Sequence, residues 1–148
     1  MTWMNLLSST DISASGLSAE RQRMEVVANN LANANTTRTA GGGPYRRQHL
    51  VFAAVLNEQQ GGFPRSASSP GGVRVVAVEE DPSALPRVFN PGHPDADEQG
   101  YVTMPNVKIP NEMVDLMTAS RAYEANLRAL RSFRTMAEQT LALLRGGP

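Results

Sequence analysis

Residues 90–101, NPGHPDADEQGY, bring together side chains that can bind a metal ion or transfer a proton. Four of them match the start of a calcium-binding EF-hand loop, at about positions 1, 3, 5 and 6. These four are Asp95, Asp97, Gln99 and Gly100. The match then fails, because Asn106 stands where an EF-hand needs a glutamate that binds calcium with two oxygens.

The same segment has the composition of a series of turns. Its prolines and glycines break helices, and Asp side chains in turns accept hydrogen bonds from nearby backbone N–H groups. A metal site built on His93 would need ligands from elsewhere, and His49 is the only other histidine. We therefore expect a structural loop without a metal or cofactor, formed by Gly92, His93, Pro94, Asp95, Asp97, Gly100 and Tyr101.

The composition of the 148-residue chain argues against several classes of function. It has no cysteine, which excludes a zinc-thiolate site and a cysteine nucleophile. The formal net charge is +0, so there is no basic footprint for nucleic acid. Neither a serine-hydrolase motif nor a phosphate-binding loop occurs. We expect no enzyme, no bound nucleic acid and no small-molecule substrate. No cleaved signal peptide and no membrane span are expected either.

The amino-terminal part predicts a helix over residues 10–35. Its apolar stripe consists of Leu17, Met24, Val27, Ala28, Leu31 and Ala34. Thr10 offers an N-cap oxygen just before this stripe, and the glycines of AGGGP end the helix. Gly16 lies inside the helix, where it marks either a kink or a point of close contact.

The carboxyl-terminal part predicts a longer helix over residues 109–144. Alternating steps of four and three residues give a stripe in which only Ser120 and Arg134 are polar. The stripe is Ile109, Met113, Leu116, Ser120, Tyr123, Leu127, Leu130, Arg134, Ala137, Leu141 and Leu144. A repeat of about 3.5 residues predicts a left-handed coiled coil. Asn111 is the expected N-cap and Gly146 the expected stop.

The middle of the chain carries strand and turn signals. RRQHLVFAAVL (46–56) and VRVVAVE (73–79) have the length and β-branched content of strands, and a Gly/Pro/Ser-rich loop over 57–72 joins them. The prolines that follow predict an extended return. The fold class is therefore α+β, with long N- and C-terminal α-helices forming a coiled coil and a small β-hairpin between them. We divide the chain into an N-terminal helix (1–37), a β-rich middle region (38–108) and a C-terminal helix (109–148).

Four asparagines near the end of the first helix need an explanation, because Asn is a poor interior helix former. They are Asn29, Asn30, Asn33 and Asn35. One interpretation is a solvated face with an Asn signal for the helix end. The other is a buried row of amides at a contact between helices or subunits, where polar pairs fix register. The Ala- and Arg-rich segment 119–134 also has two interpretations. It is either a solvated face around the stripe, or a contact where small alanines let neighbouring helices approach and Arg121, Arg128 and Arg131 pair with carboxylates of those neighbours.

Four stretches resemble a known family. SGLSAERQRMEVVANNLANANTT (15–37) and EMVDLMTASRAYEANLRAL (112–130) resemble the two terminal signatures of bacterial flagellar axial proteins, the rod, hook and hook-associated family. RTAGGGPYRRQHLVF (38–52) and NPGHPDADEQGYVTMPNV (90–107) are similar to the proximal rod members of that family.

The resemblance implies a structural subunit of the proximal rod, whose terminal helices pack around the export channel and transmit motor torque. It implies delivery by the flagellar type III export apparatus without a cleaved signal, and assembly in the periplasmic basal body. The implied partners are other copies of the chain, other rod proteins and the base of the rod near the MS ring. The alternatives are a soluble coiled-coil adaptor and another rod or hook protein of the same family.

Interface residues follow from the resemblance and the helical stripes together. The set expected between subunits is Leu17, Met24, Val27, Asn29, Asn30, Leu31, Asn33, Asn35, Met113, Leu116, Arg121, Tyr123, Asn126, Leu127 and Leu130.

Overall fold

The computed structural model of the chain describes residues 3–57 and 69–146. Its elements, in order, are α1 (Trp3–Ala32), β1 (Gln48–Asn57), β2 (Ser69–Glu80), β3 (Arg87–Phe89), β4 (Tyr101–Thr103) and α2 (Ile109–Arg145). β1 and β2 form one two-stranded sheet, and β3 and β4 form a second. The predicted α+β fold class, with a long helix at each end and a β-rich middle, is confirmed.

The first helix begins and ends earlier than the sequence predicts. Thr10, the expected N-cap, lies inside α1, which begins at Trp3. Hydroxyl side chains are accommodated inside the helix by bonding to the preceding turn, as Ser15 Oγ does by donating to the Ile12 carbonyl at 2.7 Å. The helix ends at Ala32, and Asn33 Nδ2 then donates to the Asn29 carbonyl at 2.9 Å.

The second helix matches its predicted range. It begins at Ile109, so the prediction of Asn111 as N-cap is wrong: the N–H groups of Asn111 and Glu112 both donate to the Lys108 carbonyl, at 2.9 and 3.1 Å. The helix ends at Arg145, next to the predicted stop at Gly146. None of the described helices contains an apolar stretch long enough to cross a membrane.

The buried face of α2 is rotated relative to the predicted stripe. Buried and half-buried side chains follow heptad steps at Glu112, Leu116, Ala119, Tyr123, Asn126, Leu130, Phe133 and Ala137. The prediction is wrong at Ile109, Met113, Arg134 and Leu141, which are exposed. It also omits Glu112 and Ala119, each 0% exposed. The prediction places large apolar side chains on the buried face of α2. In the structure, an ion-paired carboxylate, Glu112, and a small residue, Ala119, lie on that face.

The two sheets differ in how well the sequence predicts them. β1 and β2 confirm the two predicted strands, although β2 begins at Ser69, inside the predicted loop, and residues 58–68 of that loop lie outside the described residues. β3 and β4 lie in the proline-rich segment that the sequence predicts to be an extended return. They pair antiparallel, with Val88 opposite Val102 and Phe89 opposite Tyr101. Each has three residues, too few to show a strand pattern.

The chain divides into two compact units. Unit 1 comprises Met1–Arg21, Phe52–Val76 and Ser120–Pro148, and unit 2 comprises Gln22–Val51 and Ala77–Ala119. In unit 1, the Asn126 side chain lies so close to Gly16 that a Cβ there would be 2.8 Å from Asn126 Nδ2, so Gly16 is a point of close contact.

Unit 2 contains a pair of antiparallel helical segments. Arg23 of α1 contacts Asp115 of α2, and Asn30, further along α1, contacts Glu112, earlier in α2. The buried polar side chains of the described residues are Asn30 and Glu112, both in this unit.

Candidate functional site

The acidic loop over residues 90–101 connects β3 to β4, and Asp97 organises it. One carboxylate oxygen of Asp97 accepts hydrogen bonds from the N–H groups of Gln99 at 3.0 Å and Tyr101 at 2.8 Å. The other oxygen pairs with the Arg87 guanidinium. The pKa of Asp97 is lowered from its usual value, chiefly by the hydrogen bond from the Tyr101 N–H.

The other candidate ligands of this loop are also bound within the chain. Asp95 accepts a hydrogen bond from the Thr37 hydroxyl at 2.7 Å and lies 3.8 Å from Arg38. His93 Nδ1 accepts the N–H of Asp95 at 3.1 Å. Within residues 3–57 and 69–146, no group of three or more histidine or acidic side chains is placed to hold a metal ion.

A second, more buried group of polar residues lies in unit 2 and centres on Asn30. The side-chain amide of Asn30 pairs with the main chain of Gln48: its Oδ1 accepts the Gln48 N–H at 2.9 Å and its Nδ2 donates to the Gln48 carbonyl at 2.8 Å. Oδ1 also accepts the Tyr45 hydroxyl at 2.9 Å, and Nδ2 also donates to Glu112 Oε2 at 2.9 Å. Every donor and acceptor position of this amide is therefore used inside the chain.

Glu112 joins this amide to an ion pair. Its Oε1 accepts a hydrogen bond from Arg47 Nε at 2.5 Å, while Oε2 accepts from Asn30. A fully buried carboxylate is tolerated only when its charge is paired and its oxygens accept hydrogen bonds, and both conditions hold. We call Asn30, Tyr45, Arg47, Gln48 and Glu112 the polar cluster.

Further charged groups lie around the Arg47 guanidinium. Its Nη2 atom lies 3.3 Å from Asp115 Oδ2, and its Nη1 atom lies 3.8 Å from Asp81 Oδ2. Asp115 in turn lies 3.4 Å from Arg23. The main-chain N–H of Arg47 donates to Asn106 Oδ1 at 2.7 Å, so this residue is held through backbone and side chain together.

Burial and these neighbours shift two acid–base equilibria. The pKa of Tyr45 is raised, first by burial of the phenol and then by the negative charges of Glu112 and Glu80. The pKa of Arg47 is raised, chiefly by the hydrogen bond to Glu112. Both shifts favour the protonated forms that the hydrogen bonds require.

A cleft of about 490 Å³ opens beside the cluster in unit 2. Its lining is mostly polar: Arg47, Asp81, Ser83, Asn106, Lys108, Asn111, Glu112, Val114 and Asp115. Asn106 Nδ2 donates to the Asp81 carbonyl at 3.1 Å and to Ser83 Oγ at 2.8 Å. The polar groups at the cleft wall are therefore largely engaged with one another.

The predicted interface residues fall into three classes of exposure. Val27 and Asn30 are buried in the chain itself, which places them inside the subunit in place of the contact between subunits that the sequence predicts. The half-buried ones are Leu17, Met24, Leu31, Asn33, Leu116, Tyr123, Asn126, Leu127 and Leu130. The exposed ones are Asn29, Asn35, Met113 and Arg121.

Two models of protein families match the chain at its two ends. Residues 11–38 match "Flagella basal body rod protein". Residues 98–143 match "Flagellar basal body rod FlgEFG protein C-terminal".

Whole-chain relatives are more specific. The flagellar basal-body rod protein FlgC of Borreliella burgdorferi is 44% identical, over 97% of this chain and 100% of its own. The FlgC protein of Salmonella typhimurium is 42% identical over 95% of this chain and 98% of its own. That of Bacillus subtilis is 39% identical over 95% and 99%.

The chain belongs to the FlgC family of flagellar basal-body rod proteins.

The cluster of this FlgC-family chain draws on both matched segments and on the part between them. Asn30 lies in the first matched segment and Glu112 in the second, whereas Tyr45, Arg47 and Gln48 lie in neither. Sequence reasoning missed Tyr45, Arg47, Gln48 and Glu112. The one signal in the sequence was the row of asparagines, since an amide inside a helix suggests a buried polar partner.

Proposed function

We propose that the chain is a structural subunit of the flagellar basal-body rod, in its proximal part, and that it acts without catalysis. The support is the similarity to FlgC proteins along the whole length of both chains. Coverage of 98% or more of these relatives also favours a proximal rod subunit over a longer rod or hook protein.

The observation that carries an assembly role is an exposed apolar strip on the first turns of α2. Ile109, Met113 and Met117 are 42%, 53% and 55% exposed, and Val114 is 62% exposed. At about 100° per residue these four side chains fall within about 140° of the helix surface. Apolar side chains clustered on one face of a helix are typical of a protein–protein contact.

The proposed interface consists of this strip together with some of the interface residues predicted from the sequence. These are the predicted residues whose side chains are exposed or half-buried. Val27 and Asn30 are left out because the chain itself buries them. The loop over 90–101 remains a proposed structural lead-in to α2, held in shape by Asp97.

The family resemblance supports the following partners, location and mode of assembly. The partners of this surface are other copies of the chain and other rod proteins, with the type III export apparatus and the MS-ring region at the base of the rod. The subunit reaches the periplasmic part of the basal body without cleavage of a signal peptide. There its helices pack around the export channel and carry torque.

The test uses the bacterium from which the sequence comes. Deletion of the gene is expected to abolish filaments and swimming, and a tagged copy is expected to restore both and to purify with basal bodies. Swimming cells without the protein, or a complementing copy that is absent from basal bodies, would refute a rod function.

A pair of variants tests the strip itself. The double substitution Met113→Glu and Met117→Glu should leave the isolated chain as stable as before, because both side chains already face solvent, but it should block assembly. The matched control, Met113→Leu with Met117→Leu, keeps the strip apolar and should assemble. Normal assembly of the glutamate variant would show that this strip is not the interface.

A further inference from the structure

The segment 44–48, whose last residue is the first of β1, contacts both of the paired helical segments of unit 2. It is held by hydrogen bonds and ion pairs along its length. The Tyr45 N–H donates to the Thr36 carbonyl at 3.0 Å, and the Arg47 carbonyl accepts the Asp81 N–H at 2.7 Å. We call residues 44–48 the strap.

The docking site of the strap is made by both helices. Asn30 of α1 receives the main chain of Gln48, and Glu112 of α2 receives the side chain of Arg47. Asn30 and Glu112 are separated by 82 residues in sequence and are joined by one hydrogen bond of 2.9 Å. Neither helix alone presents both halves of this site.

The hydrogen bond between the helices also orients the amide that holds the strap. Nδ2 of Asn30 faces two acceptors, Glu112 Oε2 and the Gln48 carbonyl, and Oδ1 faces two donors. The opposite orientation of the amide would place its oxygen against the carboxylate. Glu112 therefore selects the orientation in which Asn30 pairs with Gln48 as one peptide group pairs with another.

We propose that the strap is a conformational latch, which closes only after the helical segments of unit 2 have paired and thereby makes the ordering of the start of β1 depend on the contact between Asn30 and Glu112. The dependence has one direction: helix pairing builds the docking site, whereas the helices need from the strap only the charge of Arg47 that pairs with the buried Glu112. This inference goes beyond the proposed rod function and does not rest on it.

Amide hydrogen exchange of the full chain, followed by mass spectrometry, tests the latch with two substitutions. Asn30→Asp keeps the shape of the side chain but turns the donor toward Glu112 and Gln48 into a second negative oxygen. We expect exchange in the strap to accelerate at least about tenfold. Asn29→Asp, one residue earlier and exposed, makes the same chemical change at a side chain whose Oδ1 can still accept from Asn33 Nδ2, and it should leave strap exchange within about twofold.

The direction of the dependence is tested by Arg47→Ala in a Glu112→Gln background, because the neutral side chain at position 112 needs no ion partner. Relative to Glu112→Gln alone, the added substitution should accelerate strap exchange at least about tenfold, while amides 22–32 and 112–119 stay within about threefold. Equal acceleration of strap and helices would overturn the latch, because the cluster would then open as one body. Unchanged strap exchange in Asn30→Asp would overturn it too, as would a strap that exchanges at unstructured-peptide rates in the unchanged chain.

Discussion

The side chains of Asn30 and Glu112 touch at 2.9 Å, and both are 0% exposed. A buried carboxylate and a buried amide are each costly alone, because water can no longer solvate them. Together with Arg47 they satisfy one another. The most buried contact between α1 and α2 in unit 2 is therefore polar, and it selects one register, since sliding either helix would separate the partners.

The stability of the fold should depend on the amide group of Asn30 and not only on the size of this side chain. Asn30→Asp is nearly the same size but places a second negative charge against Glu112 and the Gln48 carbonyl. We expect a loss of about 3 kcal/mol in the free energy of unfolding, measured by urea denaturation followed by circular dichroism. Asn29→Asp is the control and should change it by less than about 0.5 kcal/mol. Equal effects of the two substitutions would contradict a specific role for Asn30.

The ion pair between Arg47 and Glu112 should show strong coupling in a double-mutant cycle. Arg47→Gln leaves the buried Glu112 without its ion partner, and Glu112→Gln removes the carboxylate to which Arg47 Nε donates, so the double variant should be less unstable than the sum of the singles by about 2 kcal/mol. The same cycle on Arg134 and Glu138, whose side chains are 82% and 62% exposed, should give a much smaller coupling, because solvent screens this pair. Similar coupling in both pairs would show that burial adds nothing to the first.

Particular residues show how far the sequence predicts this fold. The helices and the first two strands follow from periodicity and from Gly/Pro punctuation, which are local signals. Glu112 was missed because a charged residue in a helix normally marks the solvent face, and only Arg47, 65 residues away, makes its burial favourable. β3 was missed for a related reason: its three residues are a strand only because Tyr101–Thr103 pairs with them. Local sequence patterns therefore do not predict which side chains distant in the sequence come into contact in the fold.

The same limit applies to the candidate site. The row of asparagines drew attention to Asn30, yet its neighbours behave differently: Asn29 is exposed and Asn33 bonds back to the end of its own helix. Sequence spacing places Asn29 and Asn33 on one face, and they do touch, at 3.0 Å. It cannot tell which asparagine meets Glu112, because that depends on the angle at which α1 packs on α2.

Tyr45 should make the protein lose stability at alkaline pH. Its folded-state pKa lies above the ordinary value of 10.0, mainly through burial of the phenol. The phenol therefore stabilises the fold fully below about pH 10, and this contribution is lost as pH rises through the raised pKa, because the unfolded chain releases the proton more readily. Unfolding free energies measured between about pH 8 and 11 should fall more steeply for the unchanged chain than for Tyr45→Phe. Parallel curves would show that Tyr45 titrates as an exposed tyrosine does.

Gly100 should be the glycine on which the shape of the acidic loop depends. Its φ is +80°, and a Cβ there would lie 3.0 Å from the Phe89 ring and 3.1 Å from Pro91 Cβ. Gly100→Ala should therefore lower the free energy of unfolding by about 2 kcal/mol, from left-handed backbone strain plus crowding. Gly92, in the same loop, has no positive φ, and its Cβ would meet only Asn90 Oδ1 at 3.9 Å. Gly92→Ala should thus stay within about 0.5 kcal/mol. If Gly100→Ala were as mild as Gly92→Ala in thermal unfolding, the hydrogen bonds of Asp97 alone would be enough to shape the loop.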